Sequence, residues 1–341
     1  MSMSARPPLG RPTLEMVAKE AGVSRATVSR VVNGQPTVNE DMAAVVHAAI
    51  ERLQYVPNRA ARTLVNRTSN AIALIVPEET TRFFQNPFFV AVVEGITARL
   101  EQSDFILNLL VASSDPRAKI TRFLASGAVD AAIFVAHHAG DASITDVDRR
   151  IPTVFAGRPA GEGAEGRVYI DTDNADGAHR AGQHLIQRGR RRLATITGPL
   201  DMAAGQDRLN GFVRALAEHE LEPVGVEVTD FTPRGAVRAC ERLLARTPDL
   251  DGLFVASDLM AVAALTWLRS AGRDVPADVA VVGFGDDPAA SIAEVPLTTV
   301  RQPSIEMGRL LADAALRLID GDADVAPVTV LPTELIRRSS T

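Results

Sequence analysis

Residues 13–34 read TLEMVAKEAGVSRATVSRVVNG, and this stretch decides the fold at the start of the chain. Apolar residues recur along its first half with the spacing of one helix face: Leu14, Val17, Ala18 and Ala21. Thr13 can cap this helix and Gly22 can end it. Ser24 can cap a second helix over about 25–33. Two short helices joined by a three-residue turn that contains glycine predict a helix-turn-helix.

The second helix has two different faces. Val28, Val31 and Val32 lie at helical spacing, and we expect them to face a small core. A third helix is predicted to start at Asn39. Its apolar face comprises Met42, Val45, Val46, Ala49, Ile50 and Leu53. Three amphipathic helices of this length can enclose a core between them.

The outer face of the second helix carries groups that can read DNA. In DNA-binding helix-turn-helix units, the N-terminal end of the second helix enters the major groove. Arg30 can donate two hydrogen bonds to a guanine, Thr27 or Ser29 can bind phosphates, and Ala26 offers only a methyl group. The candidate DNA contacts are Ser24, Arg25, Ala26, Thr27, Ser29, Arg30 and Asn33. The alternative is a solvated helix of an ordinary three-helix bundle.

The charge of the chain is unevenly distributed. Residues 1–67 hold nine Lys and Arg against five Asp and Glu, a net charge of +4. The whole chain has a net charge of -6, so the remainder carries -10. A basic headpiece on an acidic body predicts that only the headpiece meets a polyanion.

A second informative segment, residues 55–76, reads YVPNRAARTLVNRTSNAIALIV. Pro57 interrupts the chain, and residues 58–64 could form only two helical turns, too few to be stable alone. Leu64 lies among three arginines. The segment is either a linker or a hinge helix that folds on DNA and inserts Leu64 into the minor groove.

Together, the helix-turn-helix stretch and YVPNRAARTL at its spacing resemble the LacI/GalR family of bacterial transcription regulators. The resemblance continues to about residue 337. It implies recognition-helix positions for Arg25, Ala26, Thr27, Ser29 and Arg30. It implies hinge-helix positions for Asn58, Arg59, Ala61 and Leu64. It also implies a homodimer on a near-palindromic double-stranded operator, with a small-molecule effector that controls the grip on DNA.

From residue 70 onward, short apolar strands alternate with amphipathic helices, which predicts parallel sheets. The series restarts near residue 171, so we expect two doubly wound lobes. The predicted class is α/β: an all-α helix-turn-helix headpiece and two parallel-sheet lobes resembling periplasmic binding proteins. The predicted divisions are a disordered tail at 1–12, a helix-turn-helix domain at 13–56, a hinge or linker at 57–69, an effector-binding N-subdomain at 70–170 and 302–327, and an effector-binding C-subdomain at 171–298 and 329–341.

Ligands of open α/β sheets bind at the carboxyl ends of the strands. Several polar or aromatic residues follow predicted strands: Arg208, Phe231, Asp258, Asp286 and Asp287. Carboxylate and guanidinium groups chelate adjacent hydroxyls, and a ring can stack on a sugar, so this mixture predicts a sugar site.

The family resemblance implies effector contacts at Arg208, Phe231, Ser257, Asp258 and Gln302. For each, the alternative is a helix cap, a surface charge or a core ring. Relatives often have an acidic residue at the position of Gly285, and whether Asp286 replaces it stays open. Phe84 and Phe88 could line the pocket or fill the lobe. The motifs GRP (157–159), YIDTDN and GPLDMAAGQDRLNGF resemble actinobacterial members that respond to cellobiose or other β-glucosides, which adds His138 and Arg158 as candidates.

Other features exclude several functional classes. The start of the chain has no apolar signal-like run, no segment is apolar enough for a membrane span, and the single cysteine, Cys240, allows no internal disulfide. We therefore expect a cytoplasmic protein with no membrane partner. No nucleophile, acid–base or metal-ligand pattern is visible, so we expect neither an enzyme nor a cofactor.

The sequence therefore predicts a DNA-binding repressor of carbohydrate-utilisation genes that a small sugar releases from its operator. One alternative is a regulator of the same family that responds to a purine or nucleoside. Another is a sugar-binding protein without DNA function, which the basic headpiece disfavours. In a minority of relatives the ligand acts as a corepressor, which is a third alternative.

Overall fold

The computed structural model describes residues 12–32, 38–55, 68–111, 117–139, 151–159 and 166–341. The chain divides into two units, Met1–Ser69 and Asn70–Thr341. Some predictions fall outside the described residues: most of the tail, and the DNA contacts at Asn33, Asn58, Arg59, Ala61 and Leu64. These stay predictions.

The first unit contains the predicted helix-turn-helix. Its helices are α1 Leu14–Ala21, α2 Arg25–Val32 and α3 Glu40–Leu53. The side chain of Thr13 accepts a hydrogen bond from the Met16 amide at 3.4 Å, and the Ser24 hydroxyl accepts one from the Thr27 amide at 3.1 Å. Gly22 ends α1 with a φ of 66°, a left-handed conformation that glycine adopts at little cost. The caps therefore fix the two helices where the sequence places them.

The core of this unit matches most of the predicted apolar faces. Val28 and Val31 are buried as predicted, and Val32 is half-buried. They pack in one cluster with α1 and α3. Met42 and Val45 differ from the prediction because they are 43% and 47% exposed. The apolar stripe of α3 is wider than the face that its two partners cover.

The second unit alternates strands and helices. Its strands are β1 Ala71–Val76, β2 Ile106–Val111, β3 Ala131–Val135, β4 Thr153–Ala156, β5 Val168–Thr172, β6 Leu193–Thr197, β7 Gly225–Val228, β8 Gly252–Val255, β9 Ala280–Gly285, β10 Thr298–Arg301, β11 Val328–Leu331 and β12 Glu334–Ile336. Its helices are α4 Thr80–Gln85, α5 Pro87–Leu100, α6 Arg117–Ala125, α7 Asn174–Gln187, α8 Ala203–Ala217, α9 Pro233–Arg246, α10 Asp258–Ser270, α11 Pro288–Ile292 and α12 Ser304–Ile319.

These strands form two six-stranded sheets. The first has the order β11-β5-β4-β3-β1-β2, and the second has the order β12-β10-β9-β8-β6-β7. All pairs are parallel except β12, which runs antiparallel to β10. Both sheets contain the doubly wound order 2-1-3-4-5. The predicted α/β class with two parallel-sheet lobes is confirmed, and we call these sheets with their helices the first and second lobes.

The lobe boundaries differ from the predicted ones at three places. Residues 171–172 and 329–331 lie in strands of the first sheet, and residues 299–301 lie in the second. The prediction that all of 329–341 belongs to the second lobe is therefore wrong for β11, which pairs with β5. Pro332 separates β11 from β12 and cannot donate to a strand ladder, so the chain leaves one sheet there and enters the other. The return of α12 to the first lobe matches the prediction, because α12 packs against α5 and the first sheet.

Paired helices contact each other through glycines in both lobes. A Cβ atom on Gly95 of α5 would overlap the carbonyl oxygen of Ile305 in α12, and one on Gly308 would overlap that of Val92. In the second lobe, Gly211 of α8 lies equally close to the backbone of α7 at Ala175. Each pair therefore packs backbone against backbone.

Two further features of the described residues bear on function. No helix among the described residues is long and apolar enough to cross a membrane. Cys240 lies on α9 and is buried in the core of the second lobe. Burial raises the pKa of its thiol to about 12, so it is poorly suited to act as a nucleophile.

Candidate functional site

A cavity of about 120 Å³ lies where the carboxyl ends of the two sheets face each other. Predicted residues in its wall are Phe88, Arg208, Phe231, Ser257 and Gln302. Asp287, which the sequence analysis named after a strand, also belongs to the wall. Wall residues that the sequence did not single out include Glu78, Arg82, Asn86, Asp171, Asn174, Met202, Phe284 and Met307. The wall therefore combines carboxylates, guanidinium groups, amides and aromatic rings.

Arg208 is a buried polar group of the cavity whose side chain is held by several contacts. Its side chain extends from α8, and the residue is only 6% exposed. Its guanidinium donates to Asn174 Oδ1 at 2.8 Å, to the Ala256 carbonyl at 2.6 Å and to Gln302 Oε1 at 3.1 Å. The guanidinium carbon also lies 3.7 Å from the ring centroid of Phe284. These contacts hold the planar donor group in one orientation before any ligand arrives.

Burial lowers the pKa of Arg208 to about 10, while the nearby carboxyls of Asp171 and Asp258 act in the opposite direction. A pKa of about 10 still leaves the group charged at neutral pH. Arg208 is therefore a buried cation facing several acids, an arrangement that suits hydroxyl groups which both donate and accept hydrogen bonds.

Asp258 lies beneath the cavity wall. It is 0% exposed, and its Oδ1 accepts from the Thr299 hydroxyl at 2.6 Å, while its Oδ2 accepts from the Asp287 amide at 2.9 Å. Burial raises its pKa to about 6. The structure thus places this predicted contact residue in a supporting position, where it holds the loop after β9.

The loop after β9 presents Asp287 to the cavity. Burial raises the pKa of Asp287 to about 7, and the charges of Asp258 and Asp286 act in the same direction. Asp286 does not line the cavity, because its carboxylate accepts from Arg301 at 2.8 Å and from Arg338 at 2.6 Å. Asp287, which the sequence analysis named but did not choose, therefore lines the cavity where Asp286 does not.

Backbone geometry explains why Asp287 lines the cavity and Asp286 does not. Gly285 has a φ of 143° and Asp286 has a φ of 60°. Two successive residues with positive φ turn the chain sharply, so the Asp286 side chain leaves the cavity and the next one enters it. A Cβ on Gly285 would lie 3.3 Å from an Asp258 oxygen, so the absent side chain leaves room for the two acids.

Asp171 is a wall residue that the sequence analysis missed. It lies in β5, is 7% exposed, and accepts hydrogen bonds from the Arg158 amide at 2.8 Å and from Asn174 Nδ2 at 3.0 Å. Burial raises its pKa. The available signal was the motif YIDTDN at a strand end, which places acids where ligands bind.

The aromatic candidates separate into wall and non-wall residues. Phe231 lines the cavity with a φ of 59°, and its ring covers Gly198, where any side chain would collide with it. Phe88 also lines the cavity. Phe84 is 66% exposed and lies outside the wall, so the structure does not support it as a contact.

His138 and Arg158 lie at the rim of the cleft, outside the wall. Arg158 of the first lobe pairs with Asp207 of α8 at 2.8 and 2.9 Å. His138 Nδ1 lies 2.9 Å from Asp201 Oδ2. These predicted effector residues therefore bridge the two lobes. Arg82 forms a third bridge with Asp230 at 3.3 Å.

The position of His138 makes one bridge dependent on pH. Glu78 and Asp201 raise the pKa of His138 to about 9 against the opposing effect of burial. The ring lies between the two carboxylates, with Nδ1 2.9 Å from Asp201 and Nε2 3.9 Å from Glu78, and both favour its protonated form. The protonated imidazole is thus the form that joins the lobes.

We expect His138→Gln to reduce the fall in stability of the second unit between pH 6 and pH 9. Folding raises the pKa of His138, so its protonated ring contributes fully to the free energy of unfolding below its unfolded-state pKa of 6.5. This contribution disappears as the pH rises through about 9. Because the site is partly solvated, we expect the two proteins to differ by about 1 kcal/mol in the change of their free energy of unfolding between these pH values. Thermal unfolding at both pH values tests this, and parallel pH curves for parent and variant would contradict it.

In the first unit, α2 presents the predicted DNA-reading face. Arg25, Ala26 and Arg30 are exposed, whereas Thr27 and Ser29 are half-buried. Arg25 forms an exposed ion pair with Glu15 at 3.0 Å. The Ser24 hydroxyl contacts the Thr27 hydroxyl at 2.9 Å besides capping the helix, so these two side chains also stabilise α2.

The described residues contain no group of three or more His, Cys, Asp or Glu placed to hold a metal ion.

Comparisons with known proteins match both units. Residues 13–58 match the model for bacterial regulatory proteins of the lacI family, and residues 183–341 match the model for a periplasmic binding protein-like domain. The HTH-type transcriptional regulator CelR of Thermobifida fusca is 43% identical over 97% of this chain and 98% of its own length.

Solved structures agree with these matches. A transcriptional regulator CelR-cellobiose complex is 41% identical, covers 97% of this chain and 100% of that chain, and superposes with a TM-score of 0.78. A lac repressor dimer bound to operator and the anti-inducer ONPF is 26% identical, covers 97% and 99% of the two chains, and gives a TM-score of 0.85.

Proposed function

The chain belongs to the lacI family of bacterial regulatory proteins, and on this basis we propose that it is a transcriptional repressor of carbohydrate-utilisation genes. It binds operator DNA as a homodimer through α2, and a sugar between the two lobes releases it. It acts in the cytoplasm and catalyses no reaction. The protein known to bind operator as a dimer, the lac repressor, supports this assignment through its shared architecture.

The observation that carries the proposal is the cavity at the carboxyl ends of both sheets. Arg208 supplies fixed donors, Asp171 and Asp287 supply acceptors, and the rings of Phe88 and Phe231 supply apolar surface. Sugars present adjacent hydroxyls on their edges and C–H groups on their faces, so each type of wall group has a counterpart on a pyranose.

We propose a β-linked glucose disaccharide, with cellobiose as its first candidate. The extent of similarity to CelR and its cellobiose complex supports this choice. The proposed contacts are Phe88, Asp171, Arg208, Phe231, Ser257, Asp287 and Gln302. The 120 Å³ cavity is smaller than the roughly 300–1,000 Å³ of typical ligand sites, so such a ligand requires the lobes to separate at their rim.

Effector and operator are coupled through the lobes in this proposal. Gln302 lines the cavity and lies two residues before α12, which packs on the first lobe. A sugar that favours one spacing of the lobes shifts the equilibrium toward it by its difference in affinity for the two arrangements. The segment at 57–69, which joins the lobes to the helix-turn-helix in the sequence, is the proposed transmitter.

The proposal predicts that cellobiose weakens operator binding by about 5- to 150-fold, the range of typical coupling free energies. The operator is first found by selection from random DNA with the purified chain. Fluorescence anisotropy at fixed salt then compares binding without ligand and with cellobiose, ribose and hypoxanthine. Thermodynamic reciprocity requires the operator to weaken cellobiose binding by the same factor.

Three outcomes would contradict this proposal. An absence of sequence preference at moderate salt would remove the regulator function. Tighter operator binding with cellobiose would reverse its proposed role. A response to hypoxanthine alone would favour the purine-responsive alternative.

A further inference from the structure

A second cavity, of about 590 Å³, adjoins the first on the side of α4 and α9. Arg82 and Phe231 belong to the walls of both cavities. The other residues of the second wall are Glu79, Thr81, Gln85, Asp230, Thr232, Pro233, Arg234, Arg238 and Leu259. The shared residues make this space a continuation of the cleft.

A movable side chain stands between the two cavities. Arg82 donates to Asp230 of the second lobe at 3.3 Å, a long contact, and to Glu78 of its own lobe at 2.8 Å. Because the Glu78 contact is the shorter one, Arg82 can leave Asp230 and keep its other partner. That movement would free the Asp230 carboxylate as an acceptor and remove part of the partition.

The second wall has the polar groups of a carbohydrate subsite. Thr81 and Gln85 are one turn apart on α4, and Arg234 and Arg238 are one turn apart on α9. The two arginines are exposed, and neither forms an ion pair with any residue that the structure describes. Phe231 adds an aromatic ring and Leu259 adds apolar surface.

The charge of this wall favours a neutral ligand over an anion. Its three arginines face the carboxylates of Glu79 and Asp230, which leaves only a small positive excess. Carboxylates repel a phosphate but accept hydrogen bonds from hydroxyls. Guanidinium, amide, hydroxyl and carboxylate groups together match the alternating donors and acceptors of a sugar.

We propose that the second cavity binds a further pyranose unit, so that the preferred effector is a saccharide of three or more units. This inference rests on the proposed sugar function of the first cavity. The first units occupy the cavity around Arg208, and the next unit passes Arg82 to meet Arg234 and Arg238. The length of the saccharide, besides its linkage, then determines affinity.

Calorimetric titration of the full chain with cellobiose and cellotriose tests this proposal. We expect cellotriose to bind about tenfold more tightly, the gain of one net hydrogen bond to a charged group. The double variant Arg234→Ala/Arg238→Ala should lose this gain while its affinity for cellobiose stays within twofold. Arg214→Ala, which removes an exposed arginine of α8 outside both cavities, should keep the gain.

A second variant tests the space itself. Leu259→Trp fills the second cavity and should also remove the preference for cellotriose, and its unchanged cellobiose affinity shows that the protein is folded. Equal affinity of the parent for both sugars, or a preference that survives in both variants, would overturn the subsite. If cellobiose phosphate, and not cellotriose, bound more tightly than cellobiose, the sugar subsite would also be overturned and an anion site indicated. If neither sugar bound to the parent, the proposed function itself would be overturned instead.

Discussion

Replacing Arg208 with methionine is expected to abolish measurable cellobiose binding and to lower the free energy of unfolding by about 3–5 kcal/mol. Methionine has a similar length, so the main loss is the buried cation and its three hydrogen bonds to Asn174, Ala256 and Gln302. The neighbouring carboxyls of Asp171 and Asp287 then lose their compensating charge. Calorimetry with cellobiose and urea unfolding measure the two effects.

The stability defect of this variant should depend on pH. Burial already raises the pKa of Asp287 to about 7 and that of Asp258 to about 6, so both groups resist ionisation in the folded state. A carboxyl group whose pKa is raised by folding lowers the free energy of unfolding at any pH above its unfolded-state pKa. Removal of Arg208 raises these pKa values further and so increases this loss. The defect should therefore be larger at pH 8 than at pH 5, where protonation removes the uncompensated charge.

Arg214→Met provides the matched control on the same helix. Arg214 is exposed, so its loss should change the free energy of unfolding by less than about 0.5 kcal/mol and leave cellobiose binding intact. If Arg208→Met bound cellobiose as the parent does, the cavity would not be the effector site. A defect that is equal at pH 5 and pH 8 would contradict the electrostatic explanation.

Replacing Arg30 with alanine is expected to erase most of the preference for operator over unrelated DNA. Arg30 is exposed on α2, where a guanidinium can form two hydrogen bonds to one guanine. One such contact contributes about 1–3 kcal/mol of discrimination, and a homodimer makes it in both half-sites. Binding-site selection and anisotropy at several salt concentrations should show relaxed specificity, with cellobiose binding unchanged.

Arg52→Ala separates base reading from general attraction to DNA. Arg52 lies on α3 and pairs with Glu20 at 3.3 Å. Its replacement removes one positive charge from the headpiece, as Arg30→Ala does. We expect it to leave the ranking of DNA sequences unchanged. If Arg30→Ala preserved that ranking too, Arg30 would be a phosphate contact at most.

The headpiece could be predicted in detail because its determinants are local. Helix caps such as Thr13 and Ser24, and a glycine where the chain turns left-handed at Gly22, act within three or four residues. The strand-end rule also located the cavity and several of its wall residues, including Arg208 and Phe231.

The remaining differences depend on geometry that the sequence pattern does not contain. Asp286 and Asp287 are adjacent acids after the same strand, and only the backbone turn at Gly285 decides which of them faces the cavity. His138 and Arg158 lie at the rim because their partners, Asp201 and Asp207, belong to the other lobe. Such contacts depend on how closely the lobes approach each other.

The glycine contact between α5 and α12 has a mechanical consequence. Two helices that touch along their main chains have no interposed side chains whose rotamers could absorb a small displacement. The two helices should therefore move as one rigid unit at Gly95 and Gly308. A displacement at the end of α12 near Gln302 should then be transmitted to α5 without being absorbed by side-chain rearrangement. Replacing Gly95 or Gly308 with alanine would separate the two helices. It should weaken the coupling between effector and operator before it changes the affinity of the cleft for its ligand.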